Sequence, residues 1–301
     1  MTIYDSLQIY RAHKEGSAVA LGFFDGVHLG HRAVLKACAG SGLHRVVLTF
    51  SQPPAKTIGR ACPPLLTDNA RKAALLGELG ADDIIFADFA SLRELSPAEF
   101  VRSILYERLH AKQVYCGFNY RFGKGGDGDT ALLTVLCSEY GIGVTVIEPV
   151  YLDGEAVSST RIRACIAAGE VGRAAEMLGG CYTIEGDIGG GNHIGTTMGF
   201  PTVNIPIGEG LAVPRYGVYA SYITIDGRTF TAATNIGVHP TVEVISRPLC
   251  ESFLLDFEGG DLYGKHAVCE LRRFIRGERK FDSIEELRAQ IRHDCSVIAK
   301  L

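Results

Sequence analysis

Two histidines three residues apart, His28 and His31, close the stretch Gly22-Phe23-Phe24-Asp25-Gly26-Val27-His28-Leu29-Gly30-His31. At that spacing they share one face of a helix start, where free backbone N–H groups and the positive helix end attract an anion. Glycines let the main chain approach a phosphate closely, and the imidazoles add side-chain donors. A metal pair or two incidental surface histidines would fit the spacing too; the strand before them and the Gly-x-Phe-Asp-Gly frame favour the phosphate. Ser158-Ser159-Thr160-Arg161-Ile162-Arg163 offers hydroxyls and a planar guanidinium fork at a second helix start, a donor set that suits a diphosphate but also an ordinary capped surface helix. Gly117-Phe118-Asn119-Tyr120-Arg121-Phe122-Gly123-Lys124 combines aromatics that can stack a planar ring with cations that can meet phosphate. In the second half, the glycine-dense stretch from Gly186 to Gly195 leads into Gly199-Phe200-Pro201-Thr202-Val203-Asn204. It lacks the Gly-Lys-Ser/Thr of a Walker loop, but its backbone can wrap phosphates, and Thr202 and Asn204 supply neutral oxygens for Mg²⁺.

The elements that must position these groups divide the chain in two. Up to about residue 150, short strand-type runs alternate with helical runs: strands at 18–21, 45–50, 83–86, 113–116 and 143–150, and helices to about Ala39, over 67–79 with Thr67 as N-cap, over 97–109 behind a Ser96/Glu99 capping box, and over 131–140. That alternation implies a doubly wound parallel sheet. From Gly179-Gly180 onward the pattern becomes β-branched runs between glycine turns. Asp226-Gly227 marks one hairpin, Glu258-Gly259-Gly260-Asp261 a second between 253–257 and 267–274, and a helix opens at Ser283 with Glu286 three residues on. An antiparallel β-barrel closed by one helix follows. The seam falls after a short helix at 171–178, giving domains 1–178 and 179–301.

The 301 residues are enough for two cores. A net charge of −4 argues against binding nucleic acid by bulk electrostatics. Nine scattered cysteines without a C-x-x-C pair suggest neither a disulfide framework nor a zinc site. No apolar run reaches 18 residues and Met1 opens no signal pattern, so no membrane association and a cytoplasmic setting are expected.

On these motifs the first half resembles the H-x-G-H nucleotidyltransferases, with Ser158–Arg163 similar to their S-S-T-x-x-R element and the 117–124 loop similar to that of bacterial FAD synthetases. Thr202–Asn204, Asn235-Ile236-Gly237-Val238-His239-Pro240-Thr241, Glu251–Phe257 and Arg272–Phe281 resemble riboflavin kinase segments. The whole is similar to the bifunctional bacterial riboflavin kinase/FAD synthetases. The resemblance implies ATP-dependent phosphorylation of riboflavin to FMN by the C-terminal half, and adenylyl transfer from ATP to FMN, giving FAD and diphosphate, by the N-terminal half. It assigns Gly22, Phe24, Asp25, Gly26, His28, Gly30, His31, Ser159, Thr160 and Arg161 to ATP, and Asn119, Arg121 and Phe122 to the flavin of the adenylyl step. For the kinase it implies Gly186, Gly195, Thr202 and Asn204 at ATP and Mg²⁺, Thr202 as metal contact, Glu251 as general base, and Arg272 and Arg276 over the flavin. Riboflavin, FMN and ATP are the partners expected, with no obligatory protein partner. A flavin-binding regulator that kept the fold and lost turnover is the alternative; the intact Glu251, Thr202 and Asn204 speak against it. The chain also departs from the family. Phe50-Ser51-Gln52-Pro53-Pro54 replaces Phe-x-Pro-His-Pro, so Pro53 stands where the family has a histidine and weakened adenylylation is expected.

Overall fold

The computed structural model describes residues 1–57, 59, 61–189, 202–238, 247–255, 257 and 259–301. Gly195, the rest of the 190–201 glycine segment and His239-Pro240-Thr241 lie outside the described residues. The chain forms two compact units, Met1–Ser159 and Thr160–Leu301.

The first unit is built on six parallel strands: β1 Thr2–Tyr4, β2 Ser17–Leu21, β3 His44–Phe50, β4 Asp83–Ala87, β5 Ala111–Gly117 and β6 Gly143–Ile147, in the order β1-β4-β3-β2-β5-β6. Strands buried on both faces read as continuous apolar runs, and their alternation splits the core. Val19, Leu21, Val46 and Leu48 point to one face, Ala18, Ala20, Val47 and Ile84 to the other. Helices α1 Leu29–Ala39 and α2 Asn69–Glu78 bury Val34, Leu35, Ala73 and Leu76 on the second face. The first face is covered by α3, which begins as Pro97–Glu99 and continues in π-helical turns over Phe100–Arg108, and by α4 Thr130–Ser138. The chain runs to one side of β2 through β3 and β4, and to the other through β5 and β6. The loop after β2 therefore sits at the switch point, where open α/β sheets bind ligands. The capping box at Ser96 and Glu99 forms as expected, but the N-cap of α2 is Asp68, whose carboxylate accepts from Arg71 N–H at 2.7 Å. Thr67 is diverted to another task, described below.

The second unit opens with α5 Ser159–Ala168, whose first residue belongs to the first unit, and α6 Val171–Leu178. It continues through β9 Tyr182–Asp187, β10 Thr202–Pro206, β11 Gly217–Ile225, β12 Arg228–Val238, β13 Pro248–Leu254 and β14 His266–Gly277 (β7 Tyr151–Leu152 and β8 Glu155–Ala156 form a small hairpin in the first unit). These six form an antiparallel half-barrel in the order β10-β13-β12-β11-β14-β9. Its two edges meet where Gly189 N–H donates to Asn204 O at 2.9 Å. The Asp226-Gly227 hairpin joins β11 to β12 as expected. The second expected hairpin does not form: β13 pairs with β10 and β12, β14 with β9 and β11. Glycines between two apolar runs mark a turn, not the partners of the strands beside it. Helix α7, Ile284–Ile298, starts at Ser283, whose side chain accepts from Glu286 N–H at 3.2 Å. It lays Cys295 and Ile298 on the outer face of the sheet, over Ala220, Ala233 and Phe253.

Candidate functional sites

The loop after β2 is tightly turned. Phe24 (φ 54°) and Val27 (φ 41°) are left-handed although neither is glycine, with Gly26 (φ 77°) between them. Such backbone persists only where the surroundings over-determine it. Here they do. The Asp25 carboxylate is buried and accepts from Leu66 N–H (2.8 Å) and Thr67 N–H (3.4 Å). Thr67 Oγ1 accepts from Gly26 N–H (3.2 Å), and Ser159 Oγ donates to Asp25 O (3.1 Å). Phe23 O accepts from Thr49 Oγ1 (3.0 Å) and from Lys72 Nζ (3.3 Å).

The turn delivers His28 as N-cap of α1, its Nδ1 accepting from His31 N–H at 3.4 Å. The two rings stack with centroids 3.6 Å apart, and Phe24 stands edge-on to His31 at 5.3 Å. A Cβ at residue 30 would lie 3.2 Å from His28 Cε1, so glycine lets the imidazole fold over the helix start. Burial holds His31 well below the usual imidazole range, reinforced by His28 and Lys72 nearby. His31 is thus a neutral donor, and its Nδ1 is buried with no hydrogen-bond partner among the described residues. The first intrahelical bond runs from Arg32 N–H to His28 O (2.9 Å), which leaves the Leu29 and Gly30 N–H groups at the helix start for an anion.

Four of the residues expected at the phosphates are engaged within the loop. Gly22 N–H is spent on Leu48 O (3.3 Å) and Gly26 N–H on Thr67. The Asp25 carboxylate faces residues 66–67, and the Phe24 ring is buried under the turn. These four hold the loop; His28, Gly30 and His31 present it. Ser159, the last residue of the first unit, bonds to the same loop; Thr160 and Arg161 belong to the second unit.

In the 117–129 loop Asn119 and Arg121 are exposed, while Phe122 is a core residue packed with Phe100 (5.4 Å) and Tyr120 (6.1 Å). Mutual hydrogen bonds between Phe122 and Gly128 (3.1 and 2.9 Å) turn its ring inward. The expectation of Phe122 as a stacking surface is therefore corrected. Phe118, 48% exposed, is the ring this loop presents.

In the second unit, strand alternation sorts the site. Cys250 and Ser252 are buried inside the barrel, where Ser252 meets Thr234 (2.8 Å) and Thr234 meets Ser221. Glu251, between them in β13, must point outward. Register places Asn204 of β10 on one side of it and Asn235 of β12 on the other, and Thr202 one strand step away opposite Phe253. Asn204 is buried even so, and its Oδ1 has no hydrogen-bond partner among the described residues. Gly186 lies in β9, where a Cβ would meet Ile205 Cγ2 at 3.3 Å.

The two arginines expected over the flavin fare differently. The row Asn204–Glu251–Asn235 continues through Val218 to Arg276. Arg276 does not hold its fork free: Nε donates to Oδ1 (3.2 Å) and Oδ2 (3.0 Å) of the buried Asp294, Nη2 to Oδ2 (2.8 Å), and Nη1 to Gly277 O (3.0 Å). With Gln290 Nε2 on Asp294 (2.8 Å), this ties β14 to α7. Arg272 lies beyond a bulge, three strands from Glu251, against the Tyr222 ring (5.2 Å) and Cys181 Sγ (3.0 Å). The structure does not bring it to the row.

Known families match in the same order as the two units. A family model for FAD synthetase matches residues 10–161 and one for riboflavin kinase residues 178–301. Proteins named bifunctional riboflavin kinase/FMN adenylyltransferase are 37% identical in Listeria monocytogenes (92% of this chain, 89% of the relative), 35% in Escherichia coli K12 (94% and 92%) and 33% in Pseudomonas fluorescens (100% and 98%). This chain belongs to the bifunctional riboflavin kinase/FMN adenylyltransferase family. It is a transferase, with FAD synthetase and riboflavin kinase domains that use ATP and give FMN and FAD. A crystal structure described as a macrolide-efflux protein from Streptococcus pneumoniae superposes with a TM-score of 0.90 at 26% identity, covering 100% of this chain and 99% of that one. Among the described residues no helix is long and apolar enough to cross a membrane.

Within this family member, sequence reasoning gave no role to Lys72, to Thr67 as a brace of the loop, to Asp294, or to Asn235 within the segment it named. Lys72 had a readable signal: it stands in register with Leu75, Leu76 and Leu79, a charge inside the apolar stripe of α2. Asp294 had none, because its partner lies 18 residues away on another element.

Proposed function

We propose that the adenylyl step takes place over the Gly22–His31 turn. His28, His31 and the N–H groups opening α1 bind the phosphates of ATP, and Ser159, Thr160 and Arg161 take the leaving diphosphate. Asn119 and Arg121, with Phe118, receive the flavin. An oxygen of the FMN phosphate attacks the α-phosphorus, the bond to the β-phosphate oxygen breaks, and diphosphate leaves. No enzyme-bound intermediate is needed, because the acceptor phosphate is itself the nucleophile. A neutral His31 donates its one N–H to the charge that develops there, an interaction worth about 10²–10³ in rate when preorganised.

In the kinase step Glu251 takes the proton of riboflavin's terminal hydroxyl as that oxygen attacks the γ-phosphorus and ADP leaves. Thr202 and the unpartnered Oδ1 of Asn204 are hard, neutral oxygens of the kind Mg²⁺ accepts beside nucleotide phosphates. When bound, Mg²⁺ neutralises phosphate charge; Asn204 and Asn235 flank Glu251 and orient the acceptor. The observation carrying the assignment is that row: an acid, two amides and a hydroxyl on one outward face. We place the functional seam at 178/179 and the enzyme in the cytoplasm, without an obligatory protein partner. Incubating the purified chain with riboflavin, ATP and Mg²⁺ and separating the flavins should give FMN first and then FAD; formation of neither would overturn the proposal.

A further inference from the structure

Lys72 has no part in the steps above, yet the fold buries it completely beneath the adenylyl loop. From α2 its Nζ donates to Phe23 O (3.3 Å) and Phe50 O (3.1 Å) and sits 4.3 Å from the Phe23 ring centre and 5.5 Å from that of Phe86. One cation thus joins the carboxyl end of β3 to the residue that enters the strained turn. Its titratable neighbours are Asp25 and His31, both members of the loop. We infer that Lys72 is a positioning residue for adenylyl transfer, which fixes the Phe23–His31 turn against β3 and adds a buried positive charge beneath the phosphates of ATP; this rests on the reading of that loop as the ATP site.

Three observations carry the inference. Phe23 O is held twice, by Lys72 and by Thr49, at the point where the chain enters two left-handed non-glycine residues. Such a turn relaxes unless it is fastened from outside. Next, a methionine would fill the same space without desolvating a charge, so packing alone does not call for lysine. Burial pushes the Lys72 ammonium down to about 8, opposed by the Asp25 carboxylate. Finally, the charge lies close enough to help hold His31 neutral, and a group that acts on the imidazole acts on a phosphate beside it.

The test compares Lys72→Met and Lys72→Arg with wild type in the full-length protein, following FMN adenylylation and riboflavin phosphorylation separately from pH 6 to 9.5. Losing hydrogen bonds from a charged donor should lower kcat/KM for ATP in adenylylation by about 10–100-fold in Lys72→Met. Phosphorylation should be unchanged. In wild type that kcat/KM, which reports the free enzyme, should fall as pH rises through about 8, where the ammonium loses its proton. Arginine stays charged, so Lys72→Arg should lose this limb whatever its absolute rate. Wild-type kcat/KM in Lys72→Met would overturn the inference. If that variant fails to fold, the profile of Lys72→Arg decides, and persistence of the limb near 8 overturns it equally. A wild type that makes FMN but never FAD would instead overturn the reading of the loop itself.

Discussion

Asp25 gives the sharpest test of how the adenylyl loop is held, because two substitutions separate its shape from its hydrogen bonds. Asp25→Ala leaves the N–H groups of Leu66 and Thr67 without their acceptor in a region where Asp25 is only 2% exposed. The 2.8 Å bond to Leu66 is the stronger, and orphaning a buried donor costs about 1–3 kcal/mol. The 3.4 Å bond to Thr67 adds about 1 kcal/mol, for a total of about 2–4 kcal/mol. In a unit of this size that lowers the melting temperature by about 5–15 °C. Asp25→Asn keeps an oxygen in the same place and should cost about 1 kcal/mol. Calorimetry of the full chain would follow the first unit's transition, with FAD formation as the parallel readout. Asp25→Ala should depress both and leave riboflavin phosphorylation intact. An alanine variant as stable as wild type, or an asparagine variant equally damaged, would refute the bracing role.

Other outcomes follow from the same geometry. Asp294→Ala strips the Arg276 fork of its buried partner and should destabilise the second unit by about 2–4 kcal/mol in urea unfolding, with FMN adenylylation retained. Arg45 bonds hold the Asp82 carboxyl at about 2, below its usual value, so that pair contributes above about pH 4 and its contribution is lost as pH falls toward 2. Both side chains are about one-third exposed, so the effect is about 1 kcal/mol; unfolding of wild type and Arg45→Met should differ at pH 7 and converge at pH 2. Pro53→His restores the donor expected of the family and should raise FAD synthesis about 10–100-fold with the kinase rate unchanged, measured on separated flavins. Equal rates would show that the loop beginning at Pro53, whose carbonyl already accepts from Lys56 N–H, makes no use of a histidine there.

The parts of this molecule legible in its sequence are those decided by neighbours in the chain. Strand alternation depends on residues two apart, and the Ser96/Glu99 and Ser283/Glu286 caps and the His28/His31 spacing on residues three apart. What sequence reasoning missed depends on contacts across the fold. The β13 and β14 pairings are set by the closing half-barrel, not by the glycines between them. Asp25 looked like a phosphate contact because it stands in the Gly22–His31 turn, whereas its carboxylate turns toward residue 66, 41 positions along. Arg276 looked like a ligand fork until α7 brought Asp294 to it, and Phe122 like a stacking ring until the Gly128 bridge turned it into the core.

Two transferase sites, one proposed at His28/His31 and one at Glu251, are expected to work independently on one chain. The most direct measurement follows FMN and FAD formation in Glu251→Gln and His31→Ala beside wild type. Glu251→Gln should abolish phosphorylation of riboflavin while still converting supplied FMN to FAD. His31→Ala should cut FAD formation by about 10²–10³ and keep the kinase rate. Parallel loss of both reactions in either variant would contradict the account.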